Sequence, residues 1–155
     1  MKTLEATWVG VVWLLATLSG SAQAPAVTLT AKSAGITGGA QYYADGDFIG
    51  SWTDPGAKLQ WDLTVGEPGT ATVELTHAVA PGCGGSFVLE VAGQRLTGTT
   101  QSTGSWYDYR TSTLATLTLA KGRHTVTLSA GPFATAPMNV REIRLRSEER
   151  RVGKE

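Results

Sequence analysis

The mature part of this chain alternates. Leu59, Trp61 and Leu63 are separated by Gln60 and Asp62; Ala71, Val73 and Leu75 by Thr72 and Glu74; Phe87, Leu89 and Val91 by Val88 and Glu90. Leu117 and Leu119 flank Thr118, Val126 and Leu128 flank Thr127, and Ile143 and Leu145 repeat the pattern near the end. A period of two sends successive side chains to opposite faces of a strand, so each run has one face to bury and one to wet. Asp54-Pro55-Gly56, Gly66-Glu67-Pro68-Gly69 and Pro81-Gly82 break the runs with turn chemistry. No window of the mature part has helical periodicity. Many short strands at this spacing predict an all-β chain, an antiparallel β-sandwich or jelly roll of about eight strands. Lys121-Gly122 reads as a tight hairpin joining strands 114–119 and 124–129.

Both ends differ from this middle. Lys2 and the apolar run Val9–Leu18, followed by Ala22-Gln23-Ala24, have the layout of a secretory signal cleaved after Ala24. The run is short for a bilayer span, so the expectation is a secreted or periplasmic protein with no membrane association after cleavage. At the other end, seven of the ten residues 146–155 are charged. This decapeptide resembles the translation of a sequencing-library adapter, and residues 146–155 are therefore expected to be a non-native tail. A natural frame cut near Leu145 leaves room for a further domain downstream.

Residues 25–145 then form one domain, with eight Lys or Arg against nine Asp or Glu, a net charge of −1. Such a balance gives no field for nucleic acid. Cys83 is the single cysteine. It excludes an internal disulfide and a thiolate metal cluster, and reads as a half-buried free thiol in a glycine-rich loop.

Catalytic signals are missing. His77 and His124 stand at strand ends, no nucleophile elbow or phosphate-cradling loop occurs, and Asp62, Glu74 and Glu90 sit on outward strand positions rather than in a convergent pair. Asp45-Gly46-Asp47 supplies two carboxylates, fewer than a calcium site needs, and fits a turn better.

The stronger signal is a set of aromatics on loops. Thr103-Gly104-Ser105-Trp106-Tyr107-Asp108-Tyr109 places three rings, a carboxylate and a turn glycine in seven residues; Tyr42-Tyr43 and Ser51-Trp52 lie upstream. Ring faces stack on the C–H face of a sugar while polar neighbours take its hydroxyls. The same rings could instead cap the end of the core. Trp61 alternates with polar residues and is expected in the core. Asn139, before the last strand, can donate and accept at once, or simply bond a turn.

In order, Ile49-Gly-Ser-Trp52, Leu59-x-Trp61-x-Leu-x-Val65, Gly69-x-Ala-x-Val-x-Leu75, Gly85-x-Phe-x-Leu-x-Val91, Thr103-Gly-Ser-Trp106, Leu119-x-x-Gly122-x-His124 and Asn139-x-x-x-Ile143-x-Leu145 span residues 26–145. This series resembles the galactose-binding-like β-sandwiches, above all the carbohydrate-binding modules of the family 6 and 35 type that accompany secreted glycoside hydrolases and sulfatases. The resemblance implies a non-catalytic module that binds a polysaccharide or glycan, covalently linked to a catalytic domain. It implies a site made by Trp52 or Tyr43, with Trp106 and Asn139, and with Asp108 or Arg110 adding charge-assisted bonds. Trp106 is expected to be the stacking ring in preference to Tyr107 and Tyr109. Many members hold a structural calcium with an acidic first strand; here Leu29-Thr30-Ala31-Lys32 stands in that place, so no cofactor is expected. The alternative expectation is a structural or protein-interaction sandwich without a glycan site.

Overall fold

The computed structural model describes residues 26–133 and 135–148. The expected signal segment 1–24 and residues 149–155 lie outside the described residues. The strands are β1 (Ala26–Thr30), β2 (Gly35–Thr37), β3 (Gln41–Tyr43), β4 (Phe48–Gly50), β5 (Lys58–Val65), β6 (Gly69–Ala78), β7 (Ser86–Val91), β8 (Gln94–Thr99), β9 (Arg110–Leu119), β10 (Gly122–Ala130) and β11 (Asn139–Ser147). One 3-10 turn, Ala31–Ser33, follows β1. All pairings are antiparallel. One sheet runs β3-β4-β11-β6-β9, with β1 also on β11; the other runs β2-β5-β10-β7-β8.

The alternation becomes the core. On β5, Leu59, Trp61 and Leu63 are buried while Lys58, Gln60, Asp62 and Thr64 face water. They meet Val73, Leu75, Ile143 and Leu145 of the facing sheet, and Leu89, Val91, Val126 and Leu128 fill the space between. Each such side chain contributes about 1.5–3 kcal/mol on full burial. Trp61 is 2% exposed, and its indole N–H donates to the Thr30 carbonyl at 2.9 Å, tying β5 to the end of β1.

Three features depart from expectation. There are eleven strands rather than eight, because β2, β3 and β4 are three residues each and too short to show a period. The Lys121-Gly122 link is not a hairpin: β9 pairs with β6 in one sheet and β10 with β5 and β7 in the other. The corner lets the buried faces of β9 (Leu117, Leu119) and β10 (Val126, Leu128) approach the core from opposite sides. A His124 ring nitrogen bridges it to the Ala120 carbonyl at 2.6 Å. The hairpin lies instead at Ala92-Gly93, where φ values of 50° and 78° give the two left-handed residues a tight β7–β8 turn needs.

The third departure concerns the end of the domain. β11 continues past Leu145: Arg146 pairs with Ala26 and Thr72, its guanidinium meets Glu74 at 2.7 Å, and the Glu148 amide donates to the Thr70 carbonyl at 2.7 Å. The segment expected as a tail thus begins inside the sheet. Earlier in β11 a bulge between Val140 and Glu142 takes Arg141 out of register and re-aims it toward the loop end of the sandwich.

Candidate functional site

The Thr103–Tyr109 loop is built residue by residue. Thr103 is 5% exposed, and its hydroxyl accepts the Val79 amide at 2.9 Å, while the Thr103 amide donates to the Val79 carbonyl at 2.9 Å. Gly104 turns the chain at φ 115°, a conformation that disfavours any side chain, and the Ser102 hydroxyl accepts its amide. The Ser105 hydroxyl then accepts the amides of Tyr107 and Asp108, each at 3.1 Å. Three local devices in succession thus present Trp106, half-buried, and Tyr107, 72% exposed.

The β3–β4 hairpin supplies the facing wall. Tyr43 and Phe48 are cross-strand partners, and their rings stack with centroids 4.9 Å apart and planes 17° off parallel. The Tyr107 ring meets Phe48 edge-on at 6.2 Å. The Tyr43 hydroxyl bonds the Ser51 hydroxyl. Ser51 itself has φ 52°, and this left-handed residue inverts the in–out order that follows. Ser51 faces outward and Trp52 turns into the core, 4% exposed and packed with the buried cluster. Trp52, expected as a candidate stacking ring, is therefore buried away from the cavity that Tyr43, its alternative, lines.

Asn139 opens β11 and is 7% exposed. Its amide N–H donates to the Trp106 carbonyl at 2.9 Å. A methyl group on Gly50 would collide with its Oδ1, so only glycine leaves room for it there. Asn139 thus acts first as a strut that fixes Trp106 against β4. Behind it the Arg141 guanidinium lies over the Tyr109 ring, 3.7 Å from the centroid, and donates to the Gly46 carbonyl at 3.3 Å. Burial raises the Tyr109 hydroxyl above its ordinary pKa, against the opposing pull of Arg141.

Tyr43, Phe48, Ser51, Trp106, Tyr107, Ala136 and Asn139 together line a cavity of about 350 Å³. Among the described residues, no lining side chain carries a formal charge at neutral pH. The rings offer apolar faces, and the hydroxyls of Tyr43 and Ser51 with the remaining Asn139 groups offer a few oriented polar contacts. Two expected residues fall elsewhere. Asp108 is exposed beside Gly104 and does not line the cavity, because the Ser105-capped turn points it away. Arg110 starts β9 and lines a different cleft. Phe48 carries no sign of this place in the sequence; its hairpin register with Tyr43 brings it to the cavity. The first-strand position of the implied calcium offers Leu29, Thr30, Ala31 and Lys32, of which Leu29 and Ala31 are buried and none is a carboxylate. Asp47 instead accepts the Tyr42 hydroxyl at 3.0 Å within its turn.

The family model described as carbohydrate binding module (family 6) matches residues 25–147. The chain belongs to that family. The module is a binding domain without catalytic function of its own. It is similar to the native structure of a family 35 carbohydrate-binding module from Clostridium thermocellum, at TM-score 0.69 and 17% identity over 81% of this chain and 100% of that one. It is also similar to a carbohydrate-binding module of the Cellvibrio mixtus lichenase 5A in complex with cellotriose (TM-score 0.62, 23% identity, 79% and 98% covered). A third likeness is to the Podospora anserina GH26-CBM35 β-(1,4)-mannanase, of which the module spans 28% (TM-score 0.65, 13% identity, 81% of this chain covered). No curated protein matches the module.

Proposed function

We propose that the module is a secreted accessory unit, joined to a catalytic domain, that holds one neutral sugar unit of a polysaccharide in the cavity between Tyr43, Phe48 and Trp106. The observation that carries this reading is the cavity wall itself. Four aromatic residues and three hydroxyl groups, those of Tyr43, Ser51 and Tyr107, surround a space of about 350 Å³ with no charged side chain among the described residues. Such a lining favours an uncharged ligand with one apolar face and several hydroxyls. The lichenase module bound to cellotriose and the mannanase that carries a module of this fold support the sugar and the attachment to an enzyme. Each ring contact contributes on the order of 1 kcal/mol, which with a few hydrogen bonds corresponds to micromolar to millimolar affinity.

Affinity electrophoresis through gels containing neutral polysaccharides tests it. The wild type is expected to be retarded by at least one of them, and Trp106→Ala to lose about tenfold in affinity, equal to ~1.4 kcal/mol, with unchanged thermal unfolding. Equal retardation of the two proteins removes Trp106 from the site. A wild type that no glycan retards favours a packing module without a sugar site.

A further inference from the structure

A second cavity, about 370 Å³, opens along one side of the sandwich, between the edge strands β8 of one sheet and β9 of the other. Its floor is apolar, formed by Leu75, 1% exposed, and Phe87, 4% exposed. Gly98 of β8 lies opposite Phe87 in register, and a side chain there would run into the Phe87 ring; the glycine lets the ring lie against the strand. The rim is of another kind. Gln101 and Ser102 come from the start of the Trp106 loop, and Ser112 and Thr113 from β9. Between floor and rim sits His77, paired in register with Arg110. His77 is 7% exposed, and its Nδ1 has no hydrogen-bond partner among the described residues.

This chemistry is one-sided. Arg110 is exposed and forms no ion pair among the described residues. Hydroxyl, amide and imidazole groups surround it, and no Asp or Glu among the described residues lines the cavity. A cation with a fork of donors, beside a buried imidazole whose Nδ1 has no hydrogen-bond partner among the described residues, is suited to an oxyanion. The apolar floor is suited to the carbon body that carries it. We propose that this cleft binds an anionic sugar unit, with its carboxylate or sulfate on Arg110 and His77 and its ring over Leu75 and Phe87. It is a site separate from the Trp106 cavity, with a ligand of opposite character: one end of the Trp106 loop walls the neutral site and the other end walls this one. A glycan bearing both neutral and acidic units could engage both.

The test is amide chemical-shift titration of the folded module with glucuronate, galactose 6-sulfate, glucose and inorganic sulfate. The acidic sugars are expected to shift amides of Gln101, Arg110 and Ser112, less so at raised salt, and glucose to leave them in place. Arg110→Gln is expected to weaken the acidic sugars about tenfold or more, the scale of a lost charged hydrogen bond, while Trp106→Ala leaves them unchanged. Retained affinity in Arg110→Gln overturns the proposal. So does a response confined to Tyr43, Phe48 and Trp106, and so does inorganic sulfate binding as tightly as the acidic sugars, which would mark a site for a bare ion. Loss of neutral polysaccharide binding in Trp106→Ala is read separately, so the two sites stand or fall independently.

Discussion

Replacing Thr103 by valine removes one oxygen from the interior while keeping the shape of the side chain. That oxygen accepts the Val79 amide at 2.9 Å and donates its hydrogen to the Val79 carbonyl at 3.3 Å or the Ser105 carbonyl at 3.2 Å. Val79 is fully buried, so its N–H has no water to turn to. Leaving a buried donor unpaired costs about 1–3 kcal/mol, and the added methyl returns up to roughly 0.8 kcal/mol, for a net loss of about 1–2 kcal/mol. For a domain a little over a hundred residues long this lowers the unfolding midpoint by about 4–8 °C. The same change loosens the anchor of the loop that presents Trp106, so sugar affinity is expected to fall further than stability alone requires. Calorimetry and affinity electrophoresis on the same preparation measure both. A Thr103→Val midpoint within a degree of wild type would refute the view that this hydroxyl pins the loop, and a lowered midpoint with intact affinity would separate the anchor from the site.

Gly50→Ala places a methyl against Asn139 Oδ1; overpacking of this kind costs about 1–3 kcal/mol, and both stability and sugar retention are expected to fall. Gly66→Ala, where nothing lies within 4 Å and φ is ordinary, is the matched control and should change neither. Burial holds the His77 imidazole below its ordinary value of 6.5. The unfolded chain therefore binds this proton first, and the contribution of His77 is present above about pH 6.5 and lost as pH falls below it. Thermal unfolding across that window should show a smaller acid-side loss in His77→Gln than in wild type, and equal losses would contradict the burial argument.

Different parts of the fold were legible to different degrees, for physical reasons. β5 and β10 could be read directly, since one face of each is wet and the other buried, and alternation records that difference. Sheet membership could not: Leu117 and Leu119 alternate just as Val126 and Leu128 do, whether their strands pair in one sheet or face each other across the core. The placement of Trp106 on a loop is legible because Thr103, Gly104 and Ser105 each have a local task that their chemistry announces. The burial of Trp52 is not legible, because one left-handed residue, Ser51, reverses the face that follows it, and no composition rule demands that conformation of a serine. Phe48 stayed hidden because its role comes only from lying opposite Tyr43.

The pairing of Ala26 with Arg146 puts the two ends of the folded unit side by side. Asn139 stands at the opposite end of β11, eight residues from Ser147, or roughly 26 Å away at ~3.3 Å per strand residue. Polypeptide joined at either end thus leaves from a single pole, and the aromatic cavity looks out from the other. A partner domain fused there could be large without shadowing the sugar. The module could also be spliced into a surface loop of another protein, because its entry and exit are already neighbours.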